Sequence, residues 1–256
     1  DIGLLRGFSV FDFLRCYNGQ PFLLKWHLER FKKSAQAVGL KIPLKDAEIE
    51  KIIKSLLQKN KLKEATVKLF LSGGFSDDGL EYNKLKPTFF IIVKPAIKYP
   101  AKLFSAGAKL ITQEHQREKS SAKTSNYLTL MSLYDKKIKA KAIEILYTHQ
   151  GEVLEGATSN FFLIKGGRLI TAEKNILLGT RRRLILTLAK NKLPIEIRKI
   201  KIDELKNCDE AFICSTTRNI VPIVDIDGKK INAGQVGPIT QKLMELINKK
   251  IKSDCA

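Results

Sequence analysis

The sequence predicts an α+β chain folded as two lobes, and three observations carry that prediction. Short alternating or β-branched runs of strand length are interspersed with a few amphipathic helical stretches. The segment Gln113 to Ala122 is polar, follows neither a strand nor a helix period, and divides two such series. The 256 residues suffice for one large domain or two smaller ones. The expected organisation is a first lobe over 1–112, a linker over 113–122, and a second lobe over 123–256.

In the first lobe, Gly7 to Tyr17 alternates and is rich in aromatic and β-branched residues. Asn18-Gly19 follows as a tight-turn signal before Pro21 to Leu24, so the opening reads as a hairpin. Leu28, Phe31, Ala35 and Val38 recur at helical spacing from Trp26 to Leu40, and Gly39 supplies the stop. A second helix covers about Asp46 to Gln58. Strands are expected near Ala65 to Leu71, Thr88 to Lys94 and Lys102 to Thr112, separated by turns rich in Gly, Asp and Pro.

In the second lobe, a helix is expected from about Asn126 to Lys141. Strands follow near Glu144 to Thr148, Asn160 to Lys165 and Arg168 to Thr171, then a helix from Arg181 to Lys190. Two more strands, near Glu210 to Ser215 and Asn219 to Val224, precede a last amphipathic helix from Thr240 to Lys252, with Leu243, Leu246 and Ile247 on one face. There is no internal repeat and no glycine-rich nucleotide fingerprint.

Composition narrows the function classes. The apolar fraction of 44% and charged fraction of 28% are those of a globular chain rather than a disordered one. No run of about 18 uncharged apolar residues exists, which excludes a spanning helix and argues against a membrane partner. The chain opens at Asp1 with no initiator Met and no charged segment leading into an apolar core, so nothing there argues for secretion. Cys16, Cys208, Cys214 and Cys255 lack metal spacing and read as reduced, mostly buried thiols, consistent with a cytoplasmic protein. His27, His115 and His149 share no metal-ligand spacing, and no G-x-S-x-G elbow occurs, so metal and serine-hydrolase chemistry are both disfavoured. The net charge of +20 raises the question of nucleic acid. Its lysines are spread over helix-like faces such as Lys136 to Lys141 and Asn248 to Lys252, without stacking aromatics or a recognition motif, so nucleic acid is not expected as the main partner.

The chemistry concentrates in three segments. Lys123-Thr-Ser-Asn126-Tyr127 supplies an amine. Glu155-Gly-Ala-Thr-Ser-Asn160 supplies a carboxylate in an unusually small, polar turn ahead of apolar Phe161 to Ile164. Leu177-Leu-Gly179-Thr-Arg181 supplies a helix start, whose N–H groups and dipole make an anion seat. An amine, a carboxylate and a phosphate seat are the parts a pyridoxal 5'-phosphate (PLP) enzyme requires.

Longer blocks agree. Val10 to Phe22, His27-Leu-Glu-Arg30-Phe31, Gly151 to Phe162, Asp209 to Pro222 and Gly237-Pro-Ile-Thr240 together resemble the class IV aminotransferases. These are the PLP enzymes of fold type IV, which include branched-chain and D-amino-acid transaminases and aminodeoxychorismate lyase. The resemblance covers nearly the whole chain. It implies a smaller N-terminal α/β sandwich lobe, a larger β-barrel-like C-terminal lobe with helices, and a homodimer. It also implies that Lys123 forms the Schiff base with PLP and moves the α-proton. On its own, Lys-Thr-Ser-Asn would be one surface lysine among many, and the surrounding blocks give it its weight.

By the same resemblance Glu155 faces the pyridine nitrogen, with Thr158 a nearby hydroxyl and Asn160 at the turn. Gly179, Thr180, Arg181, Ser215, Thr216 and Arg30 hold the phosphate, while Leu177 packs near the ring. Tyr127 would be the phenol ligand of the branched-chain enzymes, although the lysine segment is one residue shorter here. Phe11, Phe13, Arg15, Lys68 and Thr217 are the substrate-pocket candidates. Gly73 stands about where the D-amino-acid enzymes use an arginine. Thr66 and Lys68 replace a tyrosine and an arginine of the branched-chain enzymes, and Phe13 replaces a glycine. The resulting expectation is a transaminase acting on an amino acid, branched-chain-like, and a 2-keto acid. A lyase that eliminates pyruvate from aminodeoxychorismate is the alternative, and a non-catalytic basic binding module is the outside one.

Overall fold

The structure is a computed structural model that describes all 256 residues. Its chain forms two compact units. The first contains Asp1–Ile97, Ser121–Asn126 and Ile251–Ala256, and the second contains Lys98–Ser120 and Tyr127–Lys250.

The first unit opens with a one-turn helix α1 (Ile2–Arg6), whose Asp1 carboxylate accepts the Gly3 N–H at 2.7 Å. Then come β1 (Ser9–Tyr17), β2 (Gln20–Pro21), α2 (Leu24–Ala37), α3 (Asp46–Lys59), β3 (Ala65–Ser72) and β4 (Thr88–Pro95). Asn18 and Gly19 both take positive φ, which closes the β1–β2 hairpin as the Asn-Gly signal requires. The antiparallel sheet runs β2-β1-β3-β4. Period-2 alternation along β1 turns Val10, Asp12, Leu14 and Cys16 inward, and the apolar ones pack with Leu28 and Phe31 of α2 and Ile49 and Ile53 of α3. The other face carries Phe11, Phe13 and Arg15 opposite Phe70, Lys68 and Thr66 of β3.

The second unit holds α4 (Lys102–Ser105), β5 (Ala108–Glu114), α5 (Leu128–Ser132), α6 (Tyr134–Lys139), β6 (Glu144–His149), β7 (Glu152–Gly156), β8 (Ser159–Lys165) and β9 (Arg168–Thr171). It continues with α7 (Thr180–Ala189), β10 (Ile195–Ile197), β11 (Ile200–Lys201), β12 (Glu210–Ser215), β13 (Asn219–Ile226) and β14 (Lys229–Lys230), and α8 spans Pro238–Asp254. The strands pair in the order β8-β12-β13-β5-β6-β7, and a further β7–β8 pairing closes that path into a six-stranded barrel. Closure removes the edges that these strands would otherwise expose. Leu110, Leu146, Phe161, Leu163, Ile213 and Ile223 are among the buried side chains that pack together here. The Glu210 carboxylate accepts the backbone N–H groups of Ile239 and Thr240 and the Thr240 hydroxyl. This caps α8 and accounts for the Gly237-Pro-Ile-Thr240 block, since a Cβ on Gly237 would meet Glu210 at 2.0 Å.

Several expectations change in detail. The helix expected over 126–141 is two short helices meeting at Leu133. Ser132 donates its hydroxyl to the Thr129 carbonyl, a local bond that competes with helix continuation. The strand expected over 102–112 begins as the α4 turn. Residues 98–112, grouped with the first lobe on sequence, cluster with the second unit because β5 pairs with both β13 and β6. Lys123, grouped with the second lobe on sequence, clusters with the first unit because its segment lies along β1. Phe11 donates its N–H to the Lys123 carbonyl at 2.9 Å, Ser125 donates to the Ser9 carbonyl, and Val10 bridges to Thr124. No helix is long and apolar enough to cross a membrane.

Candidate active site

In the first unit the candidate amine is held by backbone rather than by helix. Besides the bonds to β1, the Lys123 N–H donates to the buried Ser34 hydroxyl of α2 at 3.0 Å. Its Nζ lies 4.6 Å from the centre of the Phe11 ring. Lys68 Nζ lies 4.9 Å from that ring and 5.4 Å from Phe70. Burial, and then the neighbouring charge of Lys94, pushes the Lys68 ammonium below its ordinary pKa. Phe13 stands directly opposite Lys68. Arg15, two residues further along the strand, donates to Glu64 at 2.8 Å and covers the Tyr17 ring, so its charge is already matched.

Arg30 projects from α2 onto the inward-facing Asp12. Its Nε and Nη2 each donate at 2.8 Å to one carboxylate oxygen, a bidentate fork. Asp12 also accepts the Phe13 N–H at 2.7 Å and meets His27 Nδ1 at 2.7 Å. Because the Asp12 contact is much shorter than the 3.4 Å from Arg30 to the same nitrogen, Nδ1 carries the proton and donates to Asp12. Burial by itself pushes the Asp12 carboxyl up, but Arg30 and His27 outweigh it and hold the group far below the usual aspartate range.

In the second unit the candidate carboxylate is Glu155, buried on β7. Arg117 donates to its Oε1 through Nε at 3.0 Å and Nη2 at 2.6 Å, and the Leu177 N–H donates to Oε2 at 3.0 Å. Glu155 is thereby held in one orientation by donors on both oxygens. Asn160, directly opposite Glu155 in the β7–β8 hairpin, donates to the Leu177 carbonyl at 2.7 Å. Leu177 is therefore gripped at both backbone groups. Two residues on, Gly179 caps α7, and a Cβ there would meet Asn160 Oδ1 at 2.2 Å. Only glycine admits this approach, and it brings the first turn of a ten-residue helix beside Glu155. Thr180 and Arg181 open that helix, both buried, and Arg181 Nε donates to Asn219 at 2.8 Å.

The hairpin turn carries a second network that sequence reading missed. Thr158 N–H and Ser159 Oγ donate to Glu144 Oε1 at 2.6 and 2.9 Å. Arg218, buried in the turn between β12 and β13, donates through Nη2 to Glu144 and to Thr158 Oγ1, and through Nε to Ser215 Oγ. Thr216 is half-buried in the same turn, and Thr217 accepts from the Tyr99 hydroxyl at 3.4 Å. Tyr127 precedes α5 and is half-buried. The missed residues share a signal. Asp12 and Glu144 are the only acids of β1 and β6 and sit at buried positions, and a buried charge demands a partner. The partners, Arg30 and Arg218, lie 18 and 74 residues away, so only the first is close in sequence.

The first unit presents an amine against an aromatic ring, and the second presents a buried carboxylate ion-paired to arginine and a glycine-opened helix start; each is a group of the kind that PLP requires. Comparison with known proteins fixes the family. The model of the amino-transferase class IV family matches residues 9–226.

The chain belongs to the class IV aminotransferases. It is 35% identical over 258 residues to a Methanocaldococcus jannaschii protein provisionally named a branched-chain-amino-acid aminotransferase, across 96% of this chain and 88% of that one. It is 30% identical to a D-alanine aminotransferase of Staphylococcus epidermidis, across 99% and 92%. Among solved structures, a T.th. branched-chain amino acid aminotransferase with pyridoxamine 5'-phosphate superposes with a TM-score of 0.89 at 26% identity, covering 97% of this chain and 87% of that one. The fold of this aminotransferase is therefore fold type IV, and its cofactor is PLP.

Proposed function

We propose that this aminotransferase moves an amino group between an amino acid with an apolar, branched-chain-like side chain and a 2-keto acid, with Lys123 as its catalytic amine. The observation that carries the reading is the Phe11 ring, with Lys123 Nζ at 4.6 Å and Lys68 Nζ at 4.9 Å. An amine, an aromatic surface and a second cation on one sheet face suit a substrate with an apolar side chain and a carboxylate. Phe13 extends the apolar surface. Lys68, rather than the already paired Arg15, supplies the charge, and Thr217 is assigned to the same substrate.

When bound, PLP supplies the electron sink that lets an α-proton leave. The remaining work belongs to the chain. Lys123 would anchor the cofactor and serve as the base that takes the proton from the substrate Cα and as the acid that gives it back. Glu155, fixed by Arg117 and Leu177, would face the ring nitrogen and favour its protonated form. Gly179, Thr180, Arg181, Ser215 and Thr216 are assigned to the phosphate, together with Arg30, whose Nη1 takes no part in its bonds to Asp12, and Tyr127, Thr158 and Leu177 are assigned to the ring. The family resemblance supports a homodimer as the working form, and the four free thiols support a cytoplasmic setting.

The test is the visible spectrum of purified protein loaded with PLP, followed during exposure to L- and D-amino acids and then to 2-oxoglutarate. The expected result is a cofactor band that L-leucine, L-isoleucine and L-valine deplete and the keto acid restores, and that Lys123→Ala lacks. Preferential turnover of D-alanine would overturn the substrate assignment. Pyruvate release from aminodeoxychorismate without any acceptor would replace the transaminase by the lyase.

A further inference from the structure

The structure assigns a further positioning role to Arg218, which locks the hydroxyls of Thr158 and Ser215 as hydrogen-bond donors toward the cofactor. This rests on the proposed placement of those two residues at PLP. Arginine has five N–H donors and no acceptor. A hydroxyl that accepts from arginine has a lone pair occupied, and its own hydrogen turns toward some other acceptor. Arg218 Nη2 lies 3.0 Å from Thr158 Oγ1, and Nε lies 3.3 Å from Ser215 Oγ. One rigid guanidinium thus sets the polarity of both hydroxyls. Two outward-pointing O–H donors suit the oxygens of an anionic cofactor.

The geometry of the pair makes the setting durable. Arg218 and Glu144 are both buried, at 9% and 3% exposure, while Thr158 is exposed. The arginine therefore acts from beneath the turn. Glu144 fixes the guanidinium through Nη2 and holds the turn itself through Thr158 N–H and Ser159 Oγ. Gly156 completes the packing, because a Cβ there would meet Ser159 Oγ at 2.3 Å and Glu144 Oε1 at 2.7 Å. Carboxylate, guanidinium and hydroxyls form one hydrogen-bonded chain that runs from buried Glu144 to the hydroxyls of Thr158 and Ser215.

The experiment measures the dissociation constant of PLP from the apoprotein by absorbance titration, for wild type, Arg218→Lys, Arg218→Ala, Thr158→Val and the double variant Arg218→Ala/Thr158→Val. Lysine keeps a cation beside Glu144, so that variant should fold, but a single ammonium does not reproduce the fork that reaches both hydroxyls. Arg218→Lys and Arg218→Ala are each expected to weaken PLP binding about tenfold, the loss of roughly one well-oriented hydrogen bond. Thr158→Val should weaken it severalfold, and the arginine substitution should then cost markedly less in the valine background than alone. Wild-type affinity in Arg218→Lys, or arginine and threonine effects that multiply in full, would overturn the proposal. Failure of wild type itself to bind PLP would instead overturn the cofactor-site reading on which it rests.

Discussion

Replacing Asp12 by asparagine tests the most heavily bonded group of the first unit. The Asp12 carboxylate has 0% exposure and accepts four bonds, from Phe13 N, His27 Nδ1, Arg30 Nε and Arg30 Nη2. Asparagine keeps one acceptor oxygen and turns an NH2 donor toward another donor, leaving the Arg30 charge without its counter-ion. Removing one partner of a buried ion pair costs about 3–5 kcal/mol. Arg30 keeps 11% exposure, which places the expected loss near the lower end, about 3 kcal/mol. For a chain of this size that lowers Tm by roughly 6–12 °C and the urea midpoint by roughly 1 M or more. The pH dependence has a definite sign. Asp12 titrates far below its ordinary value in the fold, so its stabilisation is complete above about pH 4 and is lost progressively as pH falls toward the folded value. Thermal and urea melts of both proteins at pH 7, 5 and 3 are the assay. The gap should be constant from pH 7 to 5 and narrower at pH 3. A Tm change under 2 °C at pH 7, or a gap unchanged at pH 3, would refute the reasoning.

Two further predictions concern other parts of the chain. Gly179→Ala drives a Cβ to 2.2 Å from Asn160 Oδ1, so Asn160 must yield its bond to Leu177. A stability loss of about 1–3 kcal/mol is expected in denaturant melts, and retention of wild-type stability would show that the turn relaxes freely. The thiols of Cys16 and Cys214 are pushed up to about 12, mainly by burial. At pH 8 a thiol-exchange reagent should leave both unmodified in native protein and titrate all four cysteines in guanidinium. Their contribution to stability is present below the unfolded thiol pKa of about 8.5 and declines as pH rises above it. Rapid native labelling of either residue contradicts the burial argument.

How much was legible in the sequence follows from which interactions are local. Helix α2 and the β1–β2 hairpin were readable because period 3.6, period 2 and an Asn-Gly turn are properties of neighbouring residues. The same holds for β9 and β12, whose bounds match the expected ones. The α5–α6 break at Leu133 was not readable, since no Gly or Pro marks it and the Ser132 bond to the Thr129 carbonyl is seen only in the fold. Glu155 and Gly179 stood out through their small, polar surroundings. What those surroundings accommodate, the Asn160 side chain against Gly179 and the Leu177 backbone against Glu155, required the fold.

The sequence by itself determined the family and the cofactor chemistry, because those depend on residue type in characteristic blocks. Tertiary structure decided which charges are available. Arg30, Arg15, Glu144 and Arg218 look alike in one dimension as charged residues in amphipathic segments. In the fold, Arg30 is clamped by Asp12, Arg15 is matched by Glu64, and Arg218 is buried against Glu144. Placement of Lys123 was decided the same way, by hydrogen bonds to β1 and Ser34 that join segments about ninety or more residues apart. The physical reason is common to all of them. The state of a buried charge depends on the partner that compensates it, and chain topology, not local sequence, selects that partner.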